Sequence, residues 1–127
     1  MEAIHIEMTP KTPEVKLVAT SGVLVLKGRS IPENSIEFYS PVFEWIDKYC
    51  LRPQAETVLH IQLEYFNTSS SKCLLDILKK LQIVSQNGGS KVKVVWYYEE
   101  DDEDMLEAGE DYQAIIRIPF EMTKIEG

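Results

Sequence analysis

Apolar and polar positions alternate with a period of two in several short stretches and with a helical period in others, so the pattern itself divides the chain into elements. Ile4, Ile6 and Met8 alternate with Ala3, His5 and Glu7, which predicts a first strand. Thr9 to Pro13 holds two prolines and reads as a loop. Val15 to Thr20 and Val23 to Lys27 flank Ser21-Gly22. Two β-rich runs about a two-residue turn containing glycine predict a hairpin. Thr57 to Tyr65 is the clearest strand: Leu59, Ile61, Leu63 and Tyr65 fall on one face, and His60, Gln62 and Glu64 fall on the other. One side is then packed and the other partly wet.

Residues 28–37 are polar and irregular, and Pro32 punctuates them. A helix follows to about Leu51, with Val42, Ile46 and Tyr49 at helical spacing and Phe43 and Trp45 beside them. Its start has two readings. Ser35 would cap it, or Ser40 would cap it with Pro41 at the first helical position, where a missing N–H costs nothing. After Tyr65 the run Phe66-Asn67-Thr68-Ser69-Ser70-Ser71 turns the chain into a second helix, striped by Leu74, Leu78 and Leu81 and supported by Leu75, Ile77 and Val84. Asn87-Gly88-Gly89 ends it, because glycine accepts the left-handed cap conformation at little cost. Val92 to Tyr98 reads as a strand, Met105 to Tyr112 as a short helix and Ala114 to Phe120 as a last strand. The order is β, ββ, α, β, α, β, α, β. Alternating strands and helices imply right-handed parallel crossovers, and the N-terminal hairpin makes the sheet mixed. The expected fold is one α/β domain over residues 1–127, with about three helices mainly on one face.

Composition narrows the partners. The chain has 127 residues, 44% of them hydrophobic and 27% charged, which suits one soluble globular domain that needs no metal or disulfide to fold. Its formal net charge of -8 argues against nucleic acid and against anionic membrane surfaces, which demand clustered Lys and Arg. No apolar run reaches the roughly 20 residues of a membrane span, and Met1 to Glu14 lacks a signal-peptide core. Cys50 and Cys73 are not spaced as a CxxC pair and read as reduced, packed thiols of a cytoplasmic protein.

Enzyme signatures are missing: there is no phosphate-binding glycine motif and no nucleophile elbow. His5 and His60 sit in separate predicted strands, and a pairing of Cys73 with His60 has no support from spacing. The six acids Glu99 to Asp104 read as a solvated run before a helix, since a calcium loop needs spaced oxygens and a glycine at its turn. The segment Tyr65 to Asp76, YFNTSSSKCLLD, is different. Capping needs one polar residue, yet here an asparagine and four hydroxyl residues stand in a row. A helix start also tolerates added phosphate, worth about 0.3–1 kcal/mol per charge near the first turn. Physics alone leaves both readings open, capping and a regulated hydroxyl.

Two motifs carry a resemblance. PENS at Pro32 to Ser35 and YFNTSSSK at Tyr65 to Lys72 together resemble the SiaC family of small bacterial regulators, and the likeness in length and element order covers nearly the whole chain. The strand-to-hydroxyl-to-helix arrangement also resembles STAS domains, the fold of anti-sigma-factor antagonists. The resemblance implies a non-catalytic, cofactor-free partner-switching protein. In the family the threonine of the NTSS motif is phosphorylated by a SiaB-type kinase and dephosphorylated by a SiaA-type PP2C phosphatase. The unphosphorylated form activates a diguanylate cyclase, raising cyclic di-GMP and promoting biofilm formation. Carried onto this chain, the acceptor is Thr68. Asn67, Ser69, Ser70 and Lys72 would frame it, with Glu33, Asn34 and Ser35 approaching from the neighbouring loop as part of the partner or kinase interface. The rivals are an anti-sigma-factor antagonist and a STAS-like small-molecule binder.

Overall fold

The sequence alternation becomes register once the strands pair. A computed structural model describes residues 1–126. Its elements are β1 (Ile4–Ile6), β2 (Glu14–Val18), β3 (Val23–Ser30), α1 (Ser35–Tyr49), β4 (Glu56–Phe66), α2 (Thr68–Gln86), β5 (Lys91–Glu99), α3 (Glu103–Ile115) and β6 (Phe120–Ile125). The six strands lie side by side in chain order. β1, β2 and β3 pair antiparallel, while β3, β4, β5 and β6 pair parallel. This is the mixed α/β sheet with an N-terminal hairpin that the pattern predicts.

Chain-order pairing has a consequence for layering. Each parallel crossover steps in the same direction, so crossovers of one hand lay every helix on the same side. Val15, Leu17, Leu24, Leu26, Leu59, Ile61, Leu63, Val92, Val94 and Trp96 supply the sheet's side of the core and are buried. Tyr39, Val42, Trp45, Ile46 and Tyr49 of α1 close over them, with Leu74, Ile77, Leu78 and Leu81 of α2. Burying each side chain of this size contributes about 1.5–3 kcal/mol, which binds helices to sheet far more firmly than helix propensity could. The opposite face carries the row Lys16, Val25, His60, Val95 and Glu121, paired strand to strand.

Four expectations change. The hairpin turn is residues 19–22, not two residues: Val18 and Val23 form the last pair, and the Gly22 N–H folds back onto the Val18 carbonyl at 3.0 Å. Helix α1 starts at Ser35, but its cap is Asn34, whose side chain accepts from the Glu37 N–H at 3.0 Å. Pro41 lies inside that helix on an exposed position, where water can satisfy the carbonyl it leaves unpaired. The final strand is Phe120–Ile125; Ala114 and Ile115 finish α3, and the apolar run read as a strand is a connection anchored by buried Ile116 and Ile118. A short apolar run does not distinguish a buried strand from a buried connection.

The fourth change shapes the end of the sheet where β4 leads into α2. Gly28 to Ser30, read as irregular, continue β3, and the β3–β4 register shifts between Gly28 and Arg29. Gly28 faces Leu63 and Arg29 faces Tyr65, so Glu64 is an extra residue on β4. One extra residue reverses every side chain after it. Tyr65 is therefore 53% exposed instead of packed, and Phe66 turns inward to meet Trp96 edge-on at 6.2 Å. Gly28 has φ +117, and a Cβ there would also meet the Met8 side chain at 3.0 Å.

Candidate functional site

Two helix starts meet just beyond this bulge. The Asn67 N–H donates to the Ser30 carbonyl at 3.0 Å, which ties the end of β4 to the end of β3. Asn67 then caps α2, its Oδ1 accepting from the Ser70 N–H at 2.9 Å. The corresponding cap of α1 is Asn34, one residue before Ser35. Ser35 Oγ lies 2.7 Å from Ser69 Oγ, so the first turns of α1 and α2 touch through two hydroxyls. The amino end of a helix carries about half a positive charge, and two of them stand side by side here.

Beneath that contact runs a chain of buried hydroxyls whose proton order can be worked out. Ser70 Oγ donates to the Ser30 carbonyl at 3.0 Å, so it must accept from Ser30 Oγ at 2.8 Å. Ser30 in turn accepts from the Tyr39 hydroxyl at 2.6 Å. Burial pushes the Tyr39 phenol up to about 12, against the opposing pull of its hydrogen bond with Ser30, so Tyr39 keeps the proton it donates. Nearer the surface, Ser69 donates to Asn67 Oδ1 at 3.2 Å and hence accepts from Ser35. Ser71 Oγ donates to the Thr68 carbonyl at 2.7 Å. On the far side, the Tyr112 hydroxyl of α3 donates to the Ser71 carbonyl at 2.8 Å and braces the first turn of α2.

Each polar residue in the run therefore has a structural task except one. Asn67 caps, Ser69 joins α1, Ser70 is fully buried in the hydroxyl chain and Ser71 bonds its own helix. Thr68 is exposed, and its hydroxyl has no hydrogen-bond partner among the described residues. Lys72 is exposed one helical turn further on, and Glu33 is exposed before the α1 cap. Of the residues expected from the PENS motif, Ser35 touches the run directly, Asn34 serves its own helix, and Glu33 makes no side-chain hydrogen bond among the described residues. Sequence reasoning missed Ser30, Tyr39 and Tyr112. Ser30 stands 40 positions from Ser70 and Tyr112 stands 41 from Ser71, while Tyr39 reaches the run only through Ser30, so no local pattern marks them.

The other candidate chemistry disperses. His60 lies on the helix-free face, its Nδ1 2.9 Å from the Tyr97 hydroxyl, while Cys73 is buried in the helix-side core. The sheet separates the two, and burial pushes the Cys73 thiol up, which disfavours a nucleophilic thiolate. Cys50 is likewise free, and burial raises it too. In the acidic run Asp102 caps α3 by accepting from the Met105 N–H at 3.0 Å, and Glu100 lies 3.7 Å from Lys124. A cleft of about 270 Å³ lined by Met8, Lys27, Gln62, Tyr97 and Glu99 opens on the helix-free face and shares no residue with the hydroxyl cluster. No helix among the described residues is long and apolar enough to cross a membrane.

Comparison with known proteins converges. The family model described as SiaC family regulatory phosphoprotein matches residues 6–125. An uncharacterized protein of Pseudomonas aeruginosa is 34% identical over 120 residues, 94% of each chain. The structure of SiaC of Pseudomonas aeruginosa superposes with a TM-score of 0.89 at 30% identity, covering 98% of this chain and 100% of that one. A chain in the crystal structure of diguanylate cyclase SiaD in complex with its activator SiaC, from the same organism, matches with a TM-score of 0.90 at 32% identity, covering 96% and 99%.

Proposed function

This chain belongs to the SiaC family of regulatory phosphoproteins, and from that premise we propose that it is a non-catalytic partner switch whose state is set at Thr68. In this reading the unphosphorylated protein binds and activates a diguanylate cyclase, just as SiaC of Pseudomonas aeruginosa is the activator of SiaD in the complex of those two proteins. A SiaB-type kinase places a phosphate on Thr68, and a SiaA-type PP2C phosphatase removes it. The protein acts in the cytoplasm, where cyclase, kinase and phosphatase would meet it. The observation that carries the reading is Thr68 itself: an exposed hydroxyl without a partner among the described residues, in a run whose other members are all engaged.

Charge supplies the mechanism. A neutral hydroxyl can pack in a protein contact at little cost. A phosphate brings about -1.5 to -2 charges and three acceptor oxygens to the same point. The paired helix starts stabilise those charges on the free protein, so the modified state is tolerated there. A partner that has closed over the neutral hydroxyl must desolvate the phosphate or leave, and a like-charge clash at an interface costs several kcal/mol. Addition of phosphate thus separates the complex without unfolding either protein.

The test uses a diguanylate cyclase encoded beside this chain, with binding measured by calorimetry and output as cyclic di-GMP formed. Unmodified protein and Thr68→Ala are expected to bind and activate alike. Protein phosphorylated at Thr68 is expected to bind at least about tenfold more weakly, a difference of about 1.4 kcal/mol. Equal binding by the phosphorylated and unmodified forms would overturn the reading.

A further inference from the structure

Exposure alone does not explain why one hydroxyl in this run would be chosen, because Ser69 is exposed as well as Thr68. Ser70 is excluded by being fully buried. Ser69 differs from Thr68 in its bonds. Its proton goes to Asn67 Oδ1 at 3.2 Å, and its oxygen receives the Ser35 hydroxyl at 2.7 Å. We infer that Ser35 is the specificity-determining residue of this site, holding Ser69 out of reach of phosphoryl transfer and leaving Thr68 as the one acceptor. The inference rests on the reading of Thr68 as a phosphoacceptor and adds to it a reason for the choice of residue.

The chemistry sets what an acceptor must offer. A protein kinase brings a nucleoside triphosphate whose γ-phosphorus is attacked in line by a hydroxyl oxygen. The new O–P bond forms as the bond to the β-phosphate oxygen breaks; the nucleoside diphosphate leaves and the hydroxyl proton passes to the kinase's base. An acceptor therefore needs a free lone pair aimed outward and a proton that can be surrendered. Ser69 has its proton held by Asn67 and one of its two lone pairs occupied by Ser35. Presenting it would require its proton to leave Asn67 while the Ser35 bond keeps the oxygen turned to the seam that joins α1 to α2. Thr68 has no such bond to give up.

Ser35 itself is buried, only 4% exposed, so it is poorly placed to contact a kinase or partner. Its effect passes through Ser69, which makes it a positioning residue. A purely structural role would lower stability and slow modification at every site alike. A specificity role moves the phosphate from one residue to another.

The experiment is phosphosite mapping by mass spectrometry after incubation with the cognate kinase and a nucleoside triphosphate, with folding of each variant checked by far-ultraviolet circular dichroism. The wild-type chain is expected to carry phosphate on Thr68 only. Ser35→Ala removes the hydroxyl that occupies the Ser69 oxygen and is expected to place a substantial share on Ser69. Ser35→Cys, which keeps the size and weakens the donor, provides the same readout if the alanine variant fails to fold. Ser35→Thr keeps a hydroxyl and is expected to return the phosphate to Thr68, as is the double variant Ser35→Ala/Ser69→Ala. Phosphate confined to Thr68 in both Ser35→Ala and Ser35→Cys would overturn the inference while leaving Thr68 as the acceptor. Phosphate on Ser69 in the wild type would overturn it too. No phosphate on the run in any variant would instead overturn the reading on which it rests.

Discussion

Tyr39 shows how one buried hydroxyl supports a whole junction. It donates to Ser30, which donates to Ser70, which donates back to the Ser30 carbonyl. Tyr39→Phe removes the first donor and leaves the Ser30 oxygen short of a partner, and is expected to cost about 1 kcal/mol at neutral pH, read as a lower urea midpoint. The same substitution has a signature at high pH. An unfolded tyrosine loses its proton near its ordinary value of about 10, whereas folded Tyr39 holds it to about 12. As pH rises through that window the unfolded state releases a proton that the folded state retains, so stability falls. Tyr39→Phe is expected to flatten part of that alkaline decline in a series of urea titrations. The portion that persists is expected to include Tyr112, whose phenol burial also pushes up to about 12.

Among the elements, α3 and the β3–β4 pair show where local preference gives way. Gly109 sits in the middle of α3, where alanine would ordinarily gain up to about 1 kcal/mol. A Cβ at Gly109 would meet the Trp96 ring and the Met122 methyl at 2.6 Å. That contact would also press on Trp96 Nε1, which donates to the Met105 carbonyl at 3.0 Å. Gly109→Ala is therefore expected to destabilise by about 1–3 kcal/mol, checked by thermal unfolding, because overpacking outweighs helix propensity. The β4 alternation likewise predicts Leu59, Ile61 and Leu63 inward and then fails at Tyr65. The reason is Glu64, an extra residue visible only once β3 lies beside β4. By reversing the last side chains, the bulge leaves Tyr65 outside, brings Phe66 onto Trp96 and delivers Asn67 to the Ser30 carbonyl. The start of α2 is positioned by that irregularity.

At the scale of the molecule, the one-sided layering leaves a sheet face without helices, and His60 lies on it beside Tyr97. Burial, with Lys93 adding to it and Glu121 opposing, holds the His60 imidazole below its ordinary pKa. As pH falls through about 6.5, the unfolded chain takes up a proton that folded His60 refuses until lower pH, so stability declines across that window. His60→Gln is expected to make the acid-side slope of stability shallower by at most one proton, measured by urea titrations between about pH 5 and 8. The partner binding proposed at Thr68 is expected to be unaffected by His60→Gln, because His60 lies on the helix-free face and shares no hydrogen bond with the hydroxyl run.

The order of elements, the helix stripes and the polar run before Lys72 were all set by sequence alone, because each depends on spacing within ten or so neighbouring residues. Proximity across the chain was decided by the tertiary structure. Ser35 and Ser69 are 34 positions apart, and Ser30 and Ser70 are 40 apart, yet parallel pairing of β3 with β4 brings the ends of those strands together and the helix starts with them. Only then do Ser69 and Ser70 acquire bonds to distant hydroxyls while Thr68 remains without one. A side chain's covalent neighbours determine its local conformation, but its available lone pairs and protons depend on whatever the fold places beside it.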